Sequence, residues 1–90
     1  MTLTNNQTDR RYELKVNQHI AYANYRWEDE VLVIEFVFTP KELRGQGVAS
    51  KLMTLLMAEA KENSFKVHPI CGYAKSWLER HPEYDEWAEI

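Results

Sequence analysis

The sequence has a single cysteine, Cys71, in 90 residues, so no internal disulfide can form. One unpaired thiol fits a reducing compartment, and a cytoplasmic location is expected. No run approaches the roughly 18 apolar residues of a membrane span, and the opening stretch, Met1 to Arg10, is polar where a signal peptide would be apolar. Positive charge is scarce too: 11 Lys and Arg against 14 Asp and Glu leave a formal charge of -3, and the basic residues are scattered. Binding to nucleic acid loses its electrostatic drive on that count, so neither nucleic acid nor membrane is an expected partner. Histidine occurs only at 19, 68 and 81. His68, Cys71 and His81 match no familiar ligand spacing, so no metal is expected, and no Ser-His-Asp arrangement can be argued.

Ninety residues leave room for one core and one site. A chain of this size buries roughly 60 to 65% of its unfolded surface, so a bound ligand or a weak homodimer contact would add stability to a monomer. Residues 1–10 are expected to be a flexible polar leader and residues 11–90 a single domain.

What is present is a regular alternation followed by a change of period. Tyr12, Leu14 and Val16 alternate with Glu13 and Lys15 as in a half-buried strand, and Asn17-Gln18 suits a tight turn. A second strand is expected from Ile20, Tyr22 and Asn24 against Ala21, Ala23 and Tyr25, closed by the charged turn Glu28-Asp29-Glu30. Val31 to Phe38 is apolar on both alternating sets, as in a central strand covered on both faces. The short links favour an antiparallel meander.

From Val48 the period becomes helical. Val48, Leu52, Leu55, Leu56 and Ala60 share one face of a helix ending near Asn63 and Ser64. Phe65 to His68 reads as a fourth strand, able to pair in parallel with the third through a right-handed crossover. A short second helix follows Cys71-Gly72-Tyr73, with Tyr73, Trp77 and Leu78 on one side, and His81-Pro82 ends it. Tyr84 and Trp87 are expected to pin a last turn to the body. The expected fold is therefore α/β: a small twisted sheet of about four strands, three antiparallel and the fourth parallel, with two helices.

Between the buried strand and the main helix lies Arg44-Gly45-Gln46-Gly47-Val48-Ala49. The first amides of a helix have no carbonyl partner and its dipole adds partial positive charge, which makes such a junction an anion site. The glycines let the backbone come close to a phosphate, and Arg44 adds a fixed charge. A Walker loop would need Gly-Lys-Ser/Thr, and Val48-Ala49 follow Gly47 instead. A dinucleotide fingerprint would need a parallel first strand before the loop.

This hexapeptide resembles the signature [Q/R]-x-x-G-x-[G/A] of the GNAT superfamily of N-acetyltransferases. Within it, the chain is similar to a subgroup of short members through Leu43-Arg44-Gly45-Gln46-Gly47, Lys66-Val67-His68-Pro69-Ile70-Cys71, Tyr73 and His81-Pro82-Glu83. The resemblance implies a GNAT-like sheet and transfer of an acetyl group from acetyl-CoA to an amine, with no metal. It also implies that amides of Arg44 to Ala49 hold the pyrophosphate, and that backbone amides near Val37 and Phe38 serve the thioester carbonyl. Phe36 and Val37 stand where relatives often have His-Thr, and Cys71-Gly72 where Cys-Pro is common.

Three side chains are candidates for chemistry. Glu35 is the one charge in the central strand, and parity groups it with Val33 and Val37, opposite Leu32, Ile34, Phe36 and Phe38. It either faces the cleft as a base or lies at a solvent-exposed edge. Cys71 precedes a helix, so it either carries the acetyl group or packs as a small apolar residue. Tyr73 either protonates the departing thiolate or belongs to the core. The alternatives to an acetyltransferase are a CoA-binding module without turnover and a small protein-interaction domain using Tyr22, Tyr25, Trp27, Tyr84 and Trp87.

Overall fold

The computed structural model describes residues 2–90. Leu3–Asn6 (β1), Arg11–Val16 (β2), His19–Glu28 (β3), Val31–Phe38 (β4) and Lys66–Pro69 (β5) form one sheet in the order β1-β2-β3-β4-β5. The first four strands are antiparallel neighbours and β5 runs parallel to β4. Between them lies the helix Val48–Asn63 (α1), and after β5 comes Gly72–Glu79 (α2). Lys41–Leu43 and Pro82–Trp87 are 3-10 segments.

The sheet thus has five strands where four were expected. The additional one lies in the polar leader, where Leu3 pairs with Leu14 and Asn6 with Arg11. Met1 lies outside the described residues. Leu3-Thr4-Asn5-Asn6 has no apolar alternation; its order comes from the unpaired edge of β2 and from the Tyr25 hydroxyl, which donates to Asn5 Oδ1 at 2.6 Å. Asn17 and Gln18 both adopt positive φ, 48° and 69°, the backbone of a tight hairpin turn between β2 and β3.

One core lies under one face of the sheet. Tyr12, Leu14, Ala21, Ala23, Tyr25, Leu32 and Ile34 face α1 there, and Met53 and Met57 extend the buried stripe predicted for the helix. The small side chains of Ala21 and Ala23 leave room for α1 over β3. Trp77 and Leu78, each 1% exposed, bring α2 into the same cluster. Helix α1 ends at Ser64 in left-handed geometry, where the amides of Ser64 and Phe65 both return to the Ala60 carbonyl.

The parity expected for β4 is overturned by a bulge. Tyr25 pairs with Ile34 and Asn24 with Phe36, so Glu35 is inserted without a partner on β3. One extra residue reverses the facing of everything beyond it. Val37 consequently joins Leu32 and Ile34 on the core face, while Phe36 and Phe38 pair with Asn24 and Tyr22 and share their face.

Among the described residues no helix is long and apolar enough to cross a membrane. The five aromatics considered as an interaction surface do not lie together. Tyr25 is 4% exposed, and Tyr84 and Trp87 are half-buried beneath Lys61, whose Nζ lies 5.0 Å from the Trp87 ring.

Candidate functional site

The pairing of β4 with β5 stops at Ile34 and Pro69. There the Ile34 carbonyl accepts from two amides, Ile70 at 2.9 Å and Cys71 at 3.1 Å, and the chain turns away into α2. Past Ile34, β4 continues through Glu35, Phe36, Val37 and Phe38 with no strand on its β5 side. A bulge bends a strand, and this one lies where the two strands part. The result is a cleft with one wall of unpaired backbone.

The glycine loop closes the end of that cleft. Gly45 and Gly47 stand at φ 78° and 73°, and a Cβ added at either would meet nothing within 4 Å. Gly47 caps α1 with no side-chain bond, and the first amide of the helical ladder is Lys51, donating to the Gly47 carbonyl at 3.0 Å. The amides of Val48, Ala49 and Ser50 precede the ladder and are free to meet an anion. Arg44 is exposed and its Nε donates to the Thr39 carbonyl at 3.2 Å, which holds the guanidinium beside the loop. Gln46 turns away, with Nε2 donating to the Glu42 carbonyl at 3.0 Å.

A cavity of about 180 Å³ lies against this loop. Arg44, Gly45, Gly47, Val48 and Ala49 line it, joined by Thr39, Leu43, Ser50 and Tyr73. Tyr73 is therefore brought to the loop from a position 26 residues beyond Gly47. It is 37% exposed rather than core, and burial pushes its phenol above the ordinary value, with Arg80 pulling the other way. The phenol holds its proton at neutral pH and can donate it.

Ser50 and Trp77 explain how α2 is aimed. The Trp77 indole Nε1 donates to Ser50 Oγ at 2.8 Å, and the indole stacks on the His81 ring at 3.8 Å and 14°. His81 in turn has Nδ1 2.6 Å from the Trp77 carbonyl. This arrangement fastens α2 to the first turn of α1 and sets Tyr73 over the loop. Neither residue was recognised as part of the site from sequence. The serine stands one place past the hexapeptide, and a pairing 27 residues apart leaves no local periodic trace.

The other two candidate side chains are placed differently. Cys71 caps α2 without a side-chain bond, is half-buried and packs against the core cluster, two positions before Tyr73. Glu35 lies away from the loop cavity: Arg26 Nη1 donates to its Oε2 at 2.7 Å while Arg26 also binds Glu28. Of the two expectations for Glu35, the exposed edge matches this geometry. Val37 and Phe38 pair with Ala23 and Tyr22 of β3 and contribute backbone where β4 has no strand on its β5 side. Among the described residues no three His, Cys, Asp or Glu side chains gather in a group that could hold a metal.

No curated protein matches the sequence. A solved structure does: the solution NMR structure of a GCN5-like candidate N-acetyltransferase from Staphylococcus aureus shares 26% identity over 98% of this chain and 87% of that one, with a TM-score of 0.75. The profile of the GCN5-related N-acetyltransferases matches residues 11–87. With that span, the mixed sheet and the strand-loop-helix order around Gly45 and Gly47, the chain belongs to the GCN5-related N-acetyltransferase family.

Proposed function

We propose that the protein transfers an acetyl group from acetyl-CoA to an amine, working as a single cytoplasmic domain in which residues 3–6 add an edge strand to 11–90. The observation that carries this is the junction of an unpaired strand edge with an open glycine loop. The free amides of Val48 and Ala49 and the backbone of Gly45 to Gly47 suit a pyrophosphate, with Arg44 adding charge. The amide-bearing pantetheine arm suits the backbone of Glu35 to Phe38, which has no strand on its β5 side. Those contacts would bring the thioester carbonyl to the amides near Val37 and Phe38, where charge develops on its oxygen during attack. Tyr73 would protonate the departing thiolate.

Direct attack by the acceptor is the main reading, because Cys71 is half-buried against the core cluster and Glu35 is held by Arg26. An acetyl-Cys71 intermediate is a second reading, favoured by the position of Cys71 before α2 and beside Tyr73.

Thermal melting with acetyl-CoA tests the first step. A ligand bound only to the folded chain at a hundredfold excess over Kd adds about 2.7 kcal/mol. For a domain this small that is a rise in Tm of roughly 10 °C or more. No shift at millimolar acetyl-CoA would remove the proposal. Mass spectrometry after incubation separates the two chemical routes. A hydroxylamine-sensitive acetyl adduct on Cys71 supports the intermediate, whereas undiminished transfer by Cys71→Ala with about a hundredfold loss in kcat for Tyr73→Phe supports direct attack.

A further inference from the structure

The way β4 is covered limits how an acceptor can reach the thioester. On the core face, Val37 packs against the cluster that includes α1 and α2. An amine must therefore come over the opposite face. There the bulge has turned two rings outward together: Phe36 is 50% exposed and lies 6.4 Å from Phe38, whose ring is 5.2 Å from Tyr22. None of the three belongs to the core cluster. Phe36 and Phe38 flank Val37, beside the backbone assigned to the thioester, and Tyr22 pairs with Phe38, so this apolar surface is continuous with the proposed reaction centre.

Most of the carboxylates around the rings are already paired with arginine. Glu13 Oε2 lies 2.6 Å from Arg11 Nε, and the Arg11 guanidinium carbon stands 4.3 Å from the centre of the Tyr22 ring. Arg26 holds Glu35 at 2.7 Å and Glu28 at 2.8 Å. Asp9, at the tip of the β1-β2 hairpin, accepts from Asn6 Nδ2 at 3.1 Å. A polyamine or a second cationic group would have to displace an arginine to reach Glu13, Glu28 or Glu35, and among these carboxylates and Asp9 only Asp9, held by Asn6, lacks one. An aromatic or aliphatic body would simply cover the rings.

We propose that Tyr22, Phe36 and Phe38 form the acceptor surface and that the acceptor is a small amine with one amino group on an aromatic or apolar body. This rests on the acetyl-CoA reading above. The amine nitrogen attacks the thioester carbonyl carbon, the C–N bond forms and the C–S bond breaks with its electron pair leaving on sulfur. The proton lost from nitrogen ends on that sulfur, giving free CoA and an amide. Attack needs the neutral amine, and an apolar surface disfavours the ammonium form. The rings thereby supply part of what a carboxylate base would, with Glu35 occupied by Arg26.

The test is acetylation by the full chain of 2-phenylethylamine and tryptamine against spermidine and free lysine, with products measured by mass spectrometry. The expected result is a kcat/KM at least about tenfold higher for the aromatic amines. Phe36→Ser should raise KM for 2-phenylethylamine about tenfold, leave KM for acetyl-CoA within about twofold, and be rescued by Phe36→Leu. Should Phe36→Ser fail to fold, the comparison of acceptors on the unaltered chain still decides. Equal or better use of spermidine or lysine would overturn the inference. So would acetylation of none of the four by a chain that binds acetyl-CoA in calorimetry, or a dimer in light scattering that Phe36→Ser dissolves. Failure to bind acetyl-CoA at all would instead remove the underlying reading, and this inference with it.

Discussion

Gly47 caps α1 at φ 73°, and an added Cβ would meet no atom within 4 Å. Gly47→Ala is therefore expected to lower stability by about 1–2 kcal/mol through backbone conformation alone, without a clash. Against a phosphate the same methyl group stands in the path of approach, so CoA affinity should fall at least about tenfold. Arg44→Ala removes one solvated contact and should weaken CoA by no more than about threefold. Chemical denaturation and calorimetry on both variants check this; wild-type affinity in both would make the loop a turn only. Tyr12 yields a prediction of another kind. Burial pushes its phenol up to about 12, with Glu59 adding to the effect, while the unfolded chain has the ordinary value of about 10. The raised value means that its contribution is fully present below pH 10 and is lost as pH rises toward 12, at up to about 1.4 kcal/mol per pH unit. Denaturation between pH 9 and 12 should show this loss, reduced in Tyr12→Phe. The loop was legible because glycines at a strand-helix junction carry a local signal. For Tyr73 the sequence leaves two roles open, and its 37% exposure outside the core cluster has no local sequence signal.

Secondary structure was read well where burial imposes a period, and poorly where pairing alone creates the element. Helix α1 spans Val48–Asn63 as its apolar repeat requires, and β5 is parallel to β4 as the intervening helix requires. β1 has no such pattern and exists through its hydrogen bonds to β2. The facing of β4 could not be read because a period of two assumes an uninterrupted ladder, and Glu35 interrupts it. This bulge has a direct test. Deleting Glu35 leaves Ile34 opposite Tyr25, Phe36 opposite Asn24 and Val37 opposite Ala23, a regular ladder that keeps every remaining side chain on its present face. The shortened chain is therefore expected to fold, with its circular dichroism retained. What it should lose is the bend that parts β4 from β5, and with it most of the rise in Tm produced by acetyl-CoA. A deletion variant with the full acetyl-CoA response would show that the bulge does not open the cleft.

The two ends of the described chain complete the sheet from opposite sides. Leu3–Asn6 covers β2 with a short polar strand, and residues 88–89 do the same for β5. Val67 bridges to Ala88 in parallel, the Glu89 amide donates to the Val67 carbonyl at 2.8 Å, and His68 Nδ1 lies 2.6 Å from the Glu89 carbonyl. Without these contacts β5 would be a four-residue strand with one open edge, directly beside the central strand and the cleft. The radius of gyration, 12.1 Å, is what a 90-residue folded chain should have, so there is little additional body to hold β5 in place. Removing residues 88–90 is therefore expected to destabilise the fold by about 1–3 kcal/mol, the loss of a few partly buried hydrogen bonds. At this size that corresponds to a fall in Tm of roughly 4–8 °C per kcal/mol. The exposed edge should also pair between molecules, giving concentration-dependent dimers in size-exclusion chromatography. The cleft predicts a further difference. In the proposed binding mode acetyl-CoA would bridge α1 and β4, so it should recover part of the lost Tm through binding to the folded state, while leaving the β5 edge open and the dimers in place. Unchanged Tm and a purely monomeric truncated chain would mean that β5 is held by β4 and α1 alone.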